Sequence, residues 1–476
     1  MNMKTKSIYT IPSDWRIFFL KYISQILIGL SCALLLFSCE ELLDVEPPRN
    51  QVVSEKVFAS DETAEATAKG LYADMLSQAA FGGTHVSLLA LTGLSSDELF
   101  YAPGDEPTMM QFEENTLMAD NPLVLNLWSS MYQSIYSANL LIERLQTASQ
   151  VTSETKKQLR GEALFIRAFS HFYLVNLFGD IPVFTTPDYR ENSTASRTEI
   201  SVVYFQIEED LLEAQDLLDN TYPHGDRVRP NKATATALLA RVYLYMEEWE
   251  KAENQASIVI DDTNYGLVDF NSITLSNNKE AIWQLHSSSL VANSATNEGY
   301  YFNLPSGYNA LREEFLNEFE PNDIRKDEWI RLDVSSFLAP YKYKVSAPGA
   351  NRSEYSTVFR LAEQYLIRAE ARAHQNKLGD AIADVDVIRQ RAGLALIADS
   401  NPGIGQQDLL DVILQERRLE LFTEWGHRWL DLKRTGRATT VLSVLKSGFT
   451  KEDELYPIPQ EELNNSPNLN DQNPGY

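Results

Sequence analysis

The chain has 476 residues, with 41 basic against 67 acidic side chains and a formal charge of −26. Hydrophobic residues at 44% and charged ones at 23% are globular proportions, which excludes wholesale disorder. The acidic balance leaves no Lys/Arg stripe to bind nucleic acid or grip anionic lipid, and two cysteines make neither a disulfide-rich scaffold nor a four-cysteine zinc site.

The chain opens with Lys4, Lys6, Arg16 and Lys21, followed by an apolar run from Tyr22 to Ser38 that ends Leu36-Phe37-Ser38-Cys39. Basic residues, an apolar stretch and a small residue in that order make a secretory signal. The alternative is a membrane anchor, because 17 apolar residues stand at the edge of spanning length. A cysteine directly after a small residue resembles the lipobox of bacterial lipoproteins, in which the thiol is lipidated and becomes the new N-terminus; Phe37 departs from the usual small or aliphatic residue there. On this reading residues 1–38 are a signal peptide, Cys39 is the lipidation site and 39–50 are a tether stiffened by Pro47 and Pro48. Cys32 then leaves with the signal, so the mature chain has no disulfide, and its 37 basic and 66 acidic groups sum to about −29. Glu40, Glu41 and Asp44 resemble the signal that sends such lipoproteins to the outer face of an outer membrane.

Most of the remainder has helical period. From Gln158 to Phe178 one stripe joins Leu159, Ala163, Ile166, Ser170, Tyr173 and Leu177, and a second joins Phe165, Ala168, Phe172 and Val175. A helix apolar on two faces lies between neighbours, and Gly179 with Pro182 ends it. Asn231–Ile260 reads as helix–turn–helix, with Leu239, Ala240, Tyr243, Trp249 and Ala252 at tetratricopeptide spacing; Phe359–Ala392 repeats it with Tyr365, Ala369, Leu378, Ala381 and Val385. Further units are expected around 128–178 and 200–219. Between these blocks, Phe81–Asn126 and Asp262–Asn309 lack helical period, although Glu280–Leu285 reads as a short strand, with Trp283 in the core. Long irregular segments in a compact domain are usually functional. From Tyr456 the chain reads as a polar, Pro-rich tail.

Several motifs then stand in a characteristic order: Leu43-Asp44; Ser60 to Ala66 with Gly70-Leu71-Tyr72; Trp128, Met131 and Tyr132 with Ser137-Ala138-Asn139; Gly161-Glu162-Ala163 with Arg167-Ala168; Phe178-Gly179-Asp180-Ile181-Pro182; Arg360 and Glu363 with Ala369-Glu370-Ala371; Arg389, Arg391, Ala392 and Gly393; Glu416-Arg417-Arg418, Glu420-Leu421, Glu424, Gly426, Arg428-Trp429 and Asp431-Leu432; Pro457-Ile458-Pro459; Gln472 to Tyr476. Together, after a lipobox, they resemble the RagB/SusD family nearly end to end. The resemblance implies a mostly α fold: four tetratricopeptide-like helix pairs packed against an irregular, loop-rich half, with an N-terminal region at 51–260 and a C-terminal region at 261–476. It implies a surface-exposed nutrient-binding lipoprotein, non-catalytic and without a cofactor, that sits as a lid over a SusC-like TonB-dependent outer-membrane transporter and delivers oligosaccharides, less often peptides.

The cluster from Glu416 to Asp431 is open to an acid–base reading, but alternating Arg and carboxylate describes an ion-pair network, which lowers carboxylate pKa values where a general acid needs a raised one. The histidines at 85, 171, 224, 286, 374 and 427 have no metal-ligand spacing, and the glycine of Asp261-Asp262-x-Asn264-x-Gly266 is misplaced for a calcium loop. Sugar rings stack C–H faces on aromatic rings, so a binder needs exposed aromatics on loops. The sequence offers Phe100, Tyr101, Phe112 and Asn115 in one region and Tyr300, Tyr301, Phe302 and Tyr308 in another; the family's sugar platforms fall in loops of these two broad regions. Each tyrosine is equally readable as core. The rival functions are peptide binding, a tetratricopeptide scaffold for proteins and a hydrolase.

Overall fold

The computed structural model describes residues 58–286, 296–303, 309–332, 336–346, 353–469 and 471–476. The signal segment 1–38, Cys39, the tether 39–50 and Tyr308 lie outside the described residues. Ser60 caps helix α1 (Asp61–Ser77) through a reciprocal bond with Thr63. The buried α2 (Leu88–Ser95), strand β1 (Leu99–Phe100) and α3 (Pro107–Glu114) follow. Two long helices form an α-hairpin: α4 (Pro122–Thr147), with Asn121 as its cap and Pro122 in its first turn, and α5 (Ser153–Phe178). The short α6 (Tyr189–Asn192) leads to α7 (Ile200–Leu217), then α8 (Lys232–Tyr245) and α9 (Trp249–Ile260).

Strand β2 (Ala281–Leu285), α10 (Asn297–Phe302), β3 (Ala310–Leu311), α11 (Ile324–Trp329), β4 (Ile330–Leu332) and β5 (Leu338–Pro340) make up most of the less regular part. The C-terminal third is β6 (Ser356–Arg360), α12 (Leu361–His374), α13 (Leu378–Arg391), α14 (Ile397–Ser400), α15 (Gln406–Leu421), α16 (His427–Arg434), α17 (Ala438–Leu445) and α18 (Gln460–Asn465). The fold is mostly helical, as the sequence indicates, and among the described residues its sheets are three antiparallel pairs, β1–β3, β2–β6 and β4–β5. Among the described residues no helix is long and apolar enough to cross a membrane.

Helix α5 is the axis of the core. It is buried on two faces between α4 and α7, and it stops at Gly179, whose φ of +76° permits the turn. Ala240 and Ala252 are fully buried where α8 meets α9, and α9 packs onto α12 across the loop-rich segment between them. Trp283 has no exposed surface and packs edge-on to Phe165 and Phe169 at 5.0 and 5.4 Å. Two helices, α2 and α3, and the start of α4 lie within the stretch from Phe81 to Asn126, which has no helical period. Every residue of α2 is buried, so no polar face exists to generate a stripe.

Residues after Tyr456 are tied into the body. The Gln472 side chain accepts from Ile458 N and donates to Ile458 O, both at 2.7 Å, as a neighbouring strand would. Asn473 Nδ2 donates to Phe178 O (2.8 Å) and Tyr456 O (2.7 Å), closing the C-terminal end of α5.

The Glu416–Asp431 cluster is a buried network. Glu420 has no exposed surface and accepts from Arg360 and Arg391, each at 2.5 Å, with Arg325 at 3.5 Å. Burial opposes its ionisation, yet Arg391, Arg360 and Arg325 hold its carboxyl well below the usual range. Glu420→Ala leaves those guanidiniums uncompensated, so we expect a loss of about 3–5 kcal/mol in urea denaturation, against about 0.5 kcal/mol or less for Ala at the exposed Glu461.

Candidate functional site

Two of the short ladders bring distant aromatics together. The pairing Leu99↔Leu311 and Phe100↔Ala310 places the Phe100–Tyr101 loop beside the segment that follows Tyr300 and Tyr301. The pairing Arg331↔Ala339 builds a hairpin next to it, and Phe337, just before β5, packs edge-on to Phe100 at 5.8 Å. Asn309 Nδ2 donates to His85 O (3.0 Å), and the His85 ring lies 4.7 Å from Tyr301, which stands 5.1 Å edge-on to Tyr300. Phe100, Tyr300, Tyr301, Phe337 and Tyr341 are all half-buried. Half-buried rings gathered in this way are the kind of surface on which an apolar ring face can lie.

Cations border this platform. Arg331 lies 4.2 Å above the Tyr341 ring and Lys344 4.1 Å from the same ring centre. Arg331 Nη2 also donates to Asn303 O at 3.4 Å, where α10 ends. Lys344 Nζ donates to Tyr341 O at 2.6 Å and to Glu328 O; burial lowers the ammonium to about 8.

The sequence-derived candidates divide on this geometry. Phe100 packs on Phe337, while Tyr300 and Tyr301 pack on each other beside His85. Tyr101 is 8% exposed and its backbone N–H donates to Glu113 at 2.8 Å. Asn115 is a helix-ending residue with φ +55°, buried, and its Oδ1 accepts from Lys446 at 2.7 Å. That ammonium also reaches Leu94 O (2.6 Å) and Ser95 O (2.7 Å), so Asn115 completes a carbonyl cage at the end of α2. Phe112 is wholly buried. Phe337, Arg331 and Tyr341 escape sequence reasoning, since two strands of three residues carry no usable period.

Two acids lie beside the platform. Glu98, the residue before β1, is 3% exposed; burial, reinforced by Asp97, raises its carboxyl to about 7. Glu298 on α10 is 2% exposed, hydrogen-bonded to Ser356 and raised by burial to about 7. Gly83, at φ +67°, lies against it, and a Cβ there would stand 2.5 Å from its carboxyl. Asp97 behaves oppositely: burial pushes it up, but Arg428 and Arg418 outweigh that and hold it at about 2. Among the described residues no group of three or more His, Cys, Asp or Glu could hold a metal ion.

A carboxyl raised from 4.5 to about 7 on folding binds its proton more tightly in the native state, so its contribution is full below pH 4.5 and is lost as pH rises through 7. Glu298→Gln removes that loss. We expect the fall in stability between pH 5 and pH 8, followed by thermal denaturation, to be smaller in the variant by about 1–3 kcal/mol.

Comparison with known proteins gives consistent results. A family model described as "Starch-binding associating with outer membrane" matches residues 42–244, and one described as "SusD family" matches residues 321–476. "SusD-like protein P25" of Formosa agariphila is 26% identical over 506 residues, covering 91% of this chain and 95% of that protein. "SusD-like protein P2" of the same organism is 28% identical, covering 93% and 98%. Among solved structures, a laminarin-binding SusD-like protein is 27% identical with a TM-score of 0.74, covering 88% of this chain and all of that one. A SusD homologue from Bacteroides thetaiotaomicron has a TM-score of 0.76 at 21% identity, over 90% and 99%.

Proposed function

The chain belongs to the SusD-like family, and from that membership we propose that it is a non-catalytic, surface-exposed lipoprotein, anchored through Cys39, that captures a glycan and delivers it to a SusC-like TonB-dependent outer-membrane transporter. The observation that carries the reading is a set of half-buried aromatics, Phe100 against Phe337 and Tyr300 against Tyr301, whose segments are brought near one another by the pairing of β1 with β3. The laminarin-binding relative and the starch-binding description of the N-terminal family model support a carbohydrate as cargo. A shallow surface with several rings suits a delivery protein, because stacking gives many weak contacts and no enclosed pocket from which release would be slow. Glu98 and Glu298 have the raised pKa of a general acid, but they are buried, and we assign them to packing.

The test is affinity electrophoresis of the full chain in mild detergent, through gels containing neutral or acidic polysaccharides, with a reducing-sugar assay alongside. We expect at least one glycan to retard the protein without new reducing ends, and Phe337→Ala or Tyr301→Ala to weaken retardation about tenfold, the equivalent of about 1.4 kcal/mol for one lost stacking contact. New reducing ends would replace the reading with a hydrolase; no retardation by any glycan would favour peptide cargo.

A further inference from the structure

A second concave site lies apart from the platform, between α4, the loop after α5, α6 and α18. It is a cavity of about 260 Å³. One wall is aromatic: Trp128 and Tyr132 have ring centres 4.8 Å apart at 47°, and Tyr132 and Phe184 5.0 Å apart at 52°. The Tyr132 hydroxyl is spent on Pro182 O at 2.8 Å, which fixes that ring. Asn192, Ser466 and Glu462 supply polar lining, alongside Pro182, Ala195 and Leu469. Asn192 has its Nδ2 committed to Thr186 O (2.9 Å), and the half-buried Glu462 carboxyl faces the same space. Burial raises that carboxyl, against the Trp128 indole N–H that donates to it.

This lining defines what can fill the space. An aliphatic or phenyl group would leave the Glu462 carboxyl with only the Trp128 indole N–H and desolvate its remaining acceptor positions. An ion or a phosphate would leave the aromatic corner unused, and an anion would meet Glu462. A ring with one C–H face and a hydroxyl edge satisfies both kinds of lining, since vicinal hydroxyls donate to a carboxylate while the face lies on Tyr132 and Phe184. The volume is below the roughly 300 Å³ at which pockets for drug-sized ligands begin, so it takes one ring and not a chain. We propose that this cavity is a second carbohydrate site, holding a single pyranose or a chain end between the Tyr132–Phe184 corner and Glu462. The proposal borrows its ligand class from the reading above but stands on a different part of the surface.

The experiment is saturation-transfer NMR on the full chain in mild detergent, with D-glucose, D-galactose, D-mannose and D-xylose as separate probes. At least one should give a saturable signal. Ser129 is an exposed helical position at the rim, so Ser129→Trp fills the cavity without disturbing the core. Both it and the isosteric Glu462→Gln should lower affinity about tenfold or more, with unchanged thermal melting. Absence of signal from all four sugars would overturn the proposal. So would a signal that Ser129→Trp leaves intact, because binding would then be elsewhere. Polysaccharide retardation by the platform is a separate readout: its loss with the monosaccharide signal retained would remove the platform and leave this site standing.

Discussion

The structure depends most on a buried array of arginines and carboxylates that joins the irregular segments to the helices. Glu280, just before β2, accepts from Arg360 Nη1 at 2.9 Å and from Arg391 Nη1 at 2.6 Å. Arg360 ends β6 and precedes α12, Arg391 ends α13, and both reach Glu420 on α15. Arg325 on α11 reaches Asp323 and Glu416 at 2.7 and 2.9 Å. Desolvation cancels much of the Coulomb energy of such pairs. Their effect lies in geometry: a buried carboxylate shared by two guanidiniums accepts one arrangement of five elements, and a displaced element would strand a charge where no water can reach it.

This explains why the motifs carrying the family resemblance are spread along the sequence yet legible as a set: they are contacts of one another. Glu162 accepts from Arg229 at 2.6 Å and from the Tyr72 hydroxyl at 2.5 Å. Arg167 holds Asn139 at 2.8 Å and Asp210 at 2.6 Å. Trp128 packs edge-on to Phe178 at 5.0 Å, and Asn473 returns to Phe178 O. Buried polar groups need a partner of fixed type and distance, so they constrain residue identity more tightly than apolar positions do. The helices were readable for a different reason: α5, α8, α9, α12 and α13 keep apolar residues at helical spacing, whereas α2 has no exposed face and α3 is only eight residues long.

The candidate site was legible by halves. Aromatics in segments without helical period pointed to Phe100, Tyr300 and Tyr301 because the chemistry of sugar faces asks for them. Asn115, an amide suited to sugar hydroxyls, is held inside by Lys446. No sequence pattern separates an amide that caps a buried ammonium from one that meets a ligand. Phe337 and Tyr341 were out of reach, since they flank a hairpin whose strands are three residues long and only the distant β1–β3 pairing brings that region to Phe100.

The array and the platform meet at the ends of these ladders. β4 begins directly after α11, whose Arg325 is clamped by Asp323 and Glu416. Two residues beyond β5, Lys342 donates to Glu420 O, Phe422 O and Glu424, with its ammonium 4.1 Å from the Phe422 ring. β1 follows Asp97, which Arg418 and Arg428 hold at 2.8 and 2.7 Å, and β3 runs into Arg312, paired with Glu113 at 3.1 Å. Each short strand is thus pinned next to its end by a charge that cannot move without losing its partner. Two- and three-residue ladders are too weak to fix ring positions by themselves. Anchored in this way they hold Phe100, Phe337 and Tyr341 in place, so a ligand at the proposed site would bind with little ordering cost. The cluster that looks most like an acid–base centre in the sequence therefore stands behind the platform and shapes it, with carboxylates neutralised in pairs and closed to substrate.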